Sequence, residues 1–222
     1  MYYIIAATVL IIVTALIQHI ISIKTEPFYP KRVWTYMESD LKPPAEYRKN
    51  IESWRKWNPD YKITVLTKKN YHSYITLSES IKDSPLIQSQ PCIFKGLISL
   101  AALKEHGGIW MEPTVLLKGP LCTAIHSKKG THFVAFHKDN CIQTWFLSSI
   151  KACKYVTMWF DELASIIQYP MVDKYSITKN INLVNRCSTV VQLSALVVLE
   201  RVENVERIEI QDVPLIVQHG TV

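Results

Sequence analysis

Leu100–Gly119, LAALKEHGGIWMEPTVLLKG, decides how the rest of the chain is read. An apolar helix runs into Gly107-Gly108. The first glycine can take the left-handed conformation that ends a helix, and the second lets the backbone turn sharply. A short strand, Ile109-Trp110-Met111, follows and delivers Glu112 at its carboxyl end, ahead of Pro113, Thr114 and a second apolar run, Val115-Leu116-Leu117. Ligands of α/β sheets bind at the carboxyl ends of strands. A carboxylate there, with a hydroxyl two residues on, offers hard oxygen ligands for a divalent cation carrying phosphates. The plainer alternative is a strand end with a solvated glutamate.

Upstream, Arg32–Met37 (RVWTYM) reads as the first strand, rich in β-branched and aromatic residues. Pro43-Pro44 precede a helix over Ala45–Trp57, and Asn58-Pro59-Asp60-Tyr61 is a turn before a second strand, Lys62–Leu66. Thr67 is a candidate cap for a short helix over Lys68–Ile75. Ser78–Gln90, polar and holding Pro85, reads as a loop. Cys92–His106 is apolar nearly all round, the mark of a helix buried between layers. Downstream, His132–Phe136 reads as a strand, Val156–Ile167 and Ser188–Val202 as helices, and Arg207–Ile210 as an edge strand. The alternation predicts an α/β domain around a mainly parallel sheet.

The chain has 222 residues, 48% hydrophobic and 20% charged, with a net charge of +6. This is globular composition, enough for one domain with a substantial core. Lys and Arg are scattered and form no long run; a basic patch for nucleic acid stays open, nucleotide phosphates or an anionic membrane surface account for the excess as well, and no nucleic-acid partner is expected. Tyr2–Ile23 has no formal charge apart from a protonated His19; its cleanest part, Tyr2–Ile17, together with Ile20 and Ile21 reaches the roughly 20 residues that cross a bilayer. It predicts an uncleaved single-pass anchor (1–23) and a linker (24–31), followed by the main domain (32–222). Lys24, Lys31 and Arg32 favour a cytosolic domain under the positive-inside rule. A lumenal arrangement stays open, and no Asn-x-Ser/Thr sequon speaks for it. The five cysteines form no C-x-x-C pair and read as buried thiols.

The GGIWMEPT segment resembles the capsular polysaccharide synthesis proteins and, beyond them, the glycosyltransferases with a DXD sugar-binding motif. Glu112 stands where the first Asp of that motif falls, and Thr114 where the second Asp or a Thr falls. Trp54, Asn58, Pro59 and Tyr61 match a W…NP.Y pattern of the same family. The resemblance spans about Arg32 to Ile167 and implies a GT-A nucleotide-sugar-binding fold behind one transmembrane helix. It also implies transfer of a sugar from a nucleotide-sugar donor to a glycan or glycolipid acceptor, with retention of configuration and Mn²⁺ or Mg²⁺ as cofactor. The implied donor-binding residues are Trp34, Thr35, Gly107, Gly108, Glu112 and Thr114, with Trp34 stacking on the base; a core tryptophan is the alternative. Gln143 and Trp145 fall on the acceptor side, although core packing suits Trp145 equally. Glu112 and Thr114 would hold the metal, with the late His219 as a further ligand or merely an exposed residue.

One departure is serious. In the wider family an Asp and an Arg lie on the buried helix before the motif. Counting back from Glu112, their places are taken by Gly96 and Ser99. Lys95 is adjacent but is expected to point about 100° away around the helix. Either other groups contact the donor, or the chain is a weakened or inactive relative that acts as a membrane-tethered glycan-binding or scaffold protein.

Overall fold

A computed structural model describes residues 29–38, 43–125, 131–138, 141–168, 190–201, 208–211 and 217–219. Strands β1 (Arg32–Tyr36), β2 (Lys62–Leu66), β3 (Gly108–Met111), β5 (Phe133–Lys138), β6 (Cys141–Ser149) and β7 (Ile208–Gln211) form a six-stranded sheet in the order β2-β1-β3-β6-β5-β7. A separate two-stranded ribbon pairs β4 (Val115–Leu117) with β8 (Val217–His219).

The sheet is mixed. β1 is parallel to both β2 and β3, and β5 is parallel to β7, but β6 runs antiparallel to β3 and β5. The expected mainly parallel sheet holds at the three parallel pairings, and β6 is the antiparallel departure from it. β5 ends at Lys138 and β6 begins at Cys141, too close for the crossover that a parallel neighbour requires.

The side-chain alternation of the strands sorts the core into two layers. Trp34, Tyr36 and Trp110 face one side, against α2 (Pro91–His106), α3 (Lys154–Gln168) and α4 (Val190–Arg201). Val33, Met37, Ile109 and Met111 face the other, against Ile51 and Trp54 of α1 (Ala45–Trp57) and Val115 and Leu117 of β4. Pro91 opens α2 at a position where a missing N–H costs nothing. Nine of its residues are buried, as its continuous apolar character requires. It stops at Gly107, whose φ of 66° and ψ of −169° turn the chain directly into β3. α4 is fastened to α3 by Trp159, whose indole N–H reaches the Val191 carbonyl at 3.0 Å, and by Tyr155 O–H to the Ala195 carbonyl at 3.0 Å.

Two local expectations are corrected. Lys68–Ile75 holds only a single 3-10 turn at Tyr71–Ser73. The Asn70 side chain accepts from Thr67 N (2.7 Å) and donates to the Val65 carbonyl (3.0 Å), a local alternative to helix. Ser78–Gln90 is not a loop but two short helices, Glu79–Lys82 and Pro85–Ser89. Pro85 sits at a helix start there, with Ser84 Oγ accepting from Leu86 N at 3.3 Å. Cys92 and Cys122 are exposed thiols and Cys153 a buried one. Cys141 is in a disulfide whose partner lies outside the described residues, so burial holds for only part of the cysteine set.

The expected span Tyr2–Ile23 also lies outside the described residues. Among those described, no helix is long and apolar enough to cross a membrane.

Candidate functional site

The last register pair of β1 and β3 is Trp34 with Trp110. Two residues further along each strand come Tyr36 and Glu112, and both open onto a cleft of about 400 Å³ at the carboxyl rim of the sheet. Its other walls are Met37 and Glu38, Pro43, Pro44 and Tyr47 at the start of α1, Pro91, Cys92 and Lys95 at the start of α2, and Pro113 and Thr114. A smaller cleft of about 160 Å³ shares Cys92, Lys95 and Glu112 and adds Gly96, Ser99, Trp110, Thr144 and Val191. Glu112 and Lys95 thus stand between two adjoining recesses.

Glu112 is placed by its backbone. Its N–H donates to the Trp145 carbonyl at 3.0 Å and its carbonyl accepts from Val115 N at 3.0 Å, closing a tight turn with Pro113 at the second position. The carboxylate is only 17% exposed and accepts from Lys95 Nζ at 2.7 Å. Thr114 is buried, and among the described residues its Oγ1 has no hydrogen-bond partner.

α1 clamps the turn and the strand that follows it. Asn50 Nδ2 donates to the Pro113 carbonyl (2.9 Å), Trp54 Nε1 donates to the Val115 carbonyl (2.7 Å), Leu117 N donates to Ser53 Oγ (3.1 Å), and Leu121 N donates to Asn58 Oδ1 (2.8 Å). Trp54 and Asn58 are the matched residues of the W…NP.Y pattern. Their physical task is to hold the segment that carries Glu112 and Thr114.

Several expected site residues sit elsewhere. Trp34 is wholly buried and offers no free face to a nucleotide base. Its indole N–H donates to the Gly107 carbonyl at 3.0 Å, and its ring lies against His106 with centroids 5.2 Å apart. The core alternative holds because Trp34 is two residues short of the strand end. Thr35 is also fully buried and lines neither cleft. Gly107 and Gly108 lie at the start of β3, the end away from Glu112, where backbone geometry explains them. A Cβ on Gly108 would stand 2.6 Å from the Arg32 carbonyl oxygen. Gln143 and Trp145 are linked to each other, Trp145 Nε1 donating to Gln143 Oε1 at 3.1 Å, and Trp145 packs on Phe136. The intervening Thr144 lines the smaller cleft instead. His219 is brought close by β8, its backbone opposite Val115 and so next to Thr114.

Lys95 reaches Glu112 despite the helical offset, because its four-carbon stem spans the angle. Glu112 and Thr114 do share one rim. For a divalent cation the fit is poor: Glu112 Oε1 already meets an ammonium. Among the described residues no three His, Cys, Asp or Glu side chains cluster to hold a metal.

Residues 15–176 match the family model described as capsular polysaccharide synthesis protein. The chain belongs to the capsular polysaccharide synthesis protein family. The match takes in every element from β1 to α3, and hence the whole of the larger cleft. In fold this family member is similar to the PaToxG glycosyltransferase, with a TM-score of 0.56 and 11% identity over 81% of this chain and 73% of that one. A glycosyltransferase involved in the glycosylation of the major capsid of PBCV-1 aligns with a TM-score of 0.43 and 12% identity, over 82% of this chain and 80% of the other. No curated protein matches the chain. The fold of this family member is thus glycosyltransferase-like.

The place where the wider family carries an Asp is filled from the far side. A Cβ on Gly96 would lie 2.8 Å and 2.9 Å from the two methyls of Val191 on α4. Gly96→Asp is therefore expected to lower stability by about 1–3 kcal/mol through overpacking, measured by denaturant unfolding. Val191→Ala in the same chain should recover part of that loss. A Gly96→Asp variant as stable as the parent would mean that α4 does not seat on α2 as described.

Proposed function

We propose that this chain transfers a sugar from a nucleotide-sugar donor to a glycan or glycolipid acceptor, on a GT-A type fold. The donor lies in the larger cleft, and its diphosphate faces the Lys95–Glu112 pair. The observation that carries this reading is the enclosed Glu112 carboxylate at the carboxyl rim of two parallel strands, ion-paired and flanked by the hydroxyl of buried Thr114, which has no partner among the described residues.

The chemistry breaks the bond from the anomeric carbon to the diphosphate oxygen, which leaves with the electron pair, and forms one to an acceptor oxygen, whose proton passes to the departing diphosphate. The barrier falls when charge growing on the leaving diphosphate meets prearranged positive charge and donors. Lys95 and Thr114 supply those groups, and Glu112 fixes where the ammonium sits. Tyr47, half-buried in the wall, is the aromatic surface for a base or sugar ring in place of Trp34. Retention of configuration and a membrane tether at Tyr2–Ile23 belong to the same proposal.

The test is a donor-hydrolysis and transfer screen of the full chain against a panel of nucleotide sugars. One donor is expected to be consumed, and Glu112→Gln to cut its turnover about 100-fold, the usual cost of misplacing a catalytic group by about an ångström. Circular dichroism should show Glu112→Gln folded. Unchanged turnover would remove Glu112 from the mechanism.

A non-catalytic relative is the second reading, favoured by Gly96 and Ser99 at the missing Asp and Arg and by Val191 packed over Gly96. It predicts glycan binding with no consumption of any donor.

A further inference from the structure

We propose that the Lys95 ammonium, and not a divalent cation, binds the diphosphate in this cleft. The inference rests on the transferase reading for the identity of the anion. A metal bound to Glu112 would sit at about 2.0–2.6 Å from its oxygen. Lys95 Nζ already stands 2.7 Å from Oε1, so the two cations would compete for one carboxylate.

The surroundings suit an anion rather than a second positive charge. Lys95 lies one turn into α2, a helix of 16 residues whose first residues, Pro91 and Cys92, line the same cleft. The positive end of the helix dipole therefore faces the space that Lys95 faces. Thr114 adds the independent sign of a ligand: its Oγ1 is buried on the cleft wall with no partner among the described residues, and an orphaned hydroxyl is costly unless something bound there completes it. The other carboxylate of the wall, Glu38, is drawn off by Lys68 at 3.3 Å. Glu112 is then a positioning residue. It holds a flexible lysine at one point and leaves the remaining ammonium hydrogens for phosphate oxygens.

Two measurements on the full chain test this. The first is calorimetry with inorganic pyrophosphate in EDTA. Binding is expected without metal. Lys95→Met should weaken it roughly ten-fold or more, as for loss of a charge-assisted hydrogen bond, and Lys95→Arg by far less. Glu112→Gln, which unfixes the ammonium but leaves it in the cleft, should weaken metal-free pyrophosphate binding by far less than Lys95→Met. The double variant, Lys95→Met with Glu112→Gln, should stay as weak as Lys95→Met, which excludes simple repulsion by the uncovered carboxylate. The second is the electron paramagnetic resonance signal of free Mn²⁺, which the chain is expected to leave undiminished. The proposal is overturned if Mn²⁺ binds and Glu112→Gln abolishes that binding, if pyrophosphate binds only with Mn²⁺, or if it binds under neither condition. Metal-dependent sugar transfer would sink this inference and leave the transferase reading standing. Metal-free, Lys95-dependent pyrophosphate binding with no donor consumed would do the reverse.

Discussion

Replacing Gly107 by alanine is expected to cost about 3 kcal/mol or more. Two costs add. The backbone there has φ 66°, which an L side chain rarely adopts. The new Cβ would also stand 2.5 Å from Lys151 N and 2.8 Å from the Ile150 carbonyl carbon. Those are backbone atoms, and they cannot swing aside as the Val191 methyls beside Gly96 can. Both are pinned as well: Ile150 N donates to the His132 carbonyl at 3.0 Å, and Ala152 N to the Lys104 carbonyl at 3.1 Å. The Gly107 carbonyl itself receives the Trp34 indole N–H at 3.0 Å. Relief of the clash must therefore move α2, β1 or the end of β6. For a chain of this size the melting temperature should fall by roughly 6–12 °C. A fall of under about 2 °C would mean that the turn is not built as described.

That junction was legible in the sequence because glycine pairs after an apolar helix have few other uses. α1, β2 and the extent of α2 were legible for similar reasons, with prolines and an Asn-Pro turn as punctuation. The clefts were much less so. Glu112 and Thr114 could be placed at a strand end by counting, yet their neighbours come from elements that only tertiary packing brings in. Val191 reaches Gly96 from the last long helix, a contact with no local signature. Helical angle points Lys95 away from Glu112, although side-chain length decides what a lysine reaches. Trp34 matched a pattern but lies too early in β1 to reach the rim; Tyr36 and Tyr47 do reach it. Sheet direction failed at β6, because a strand's neighbour is chosen by connection length, which the aromatic run of Cys141–Ser149 does not reveal.

Trp54 carries the second large effect, and here stability and turnover should separate. Trp54→Ala empties a wholly buried site and is expected to cost about 3–5 kcal/mol. Trp54→Phe keeps most of the volume but removes the N–H that meets the Val115 carbonyl at 2.7 Å, leaving a buried acceptor unpaired at about 1–3 kcal/mol. In a two-state protein with spare stability the phenylalanine variant stays folded at assay temperature. Its harm is local, because Val115 directly follows Thr114 and closes the turn on Glu112. Loss of one of the bonds by which α1 holds this segment frees the turn to shift by a fraction of an ångström. Turnover of the donor identified in the screen is expected to fall about ten-fold at saturating concentration, a modest share of what ångström-scale misplacement costs. Amide exchange at Leu117, whose N–H is held by Ser53 Oγ at 3.1 Å, should quicken in parallel, while exchange in α3 stays at the parent rate. A Trp54→Phe chain with parent turnover and unchanged exchange at Leu117 would show that the α1 clamp secures the fold without positioning Glu112. Equal quickening in α3 would mark global destabilisation instead.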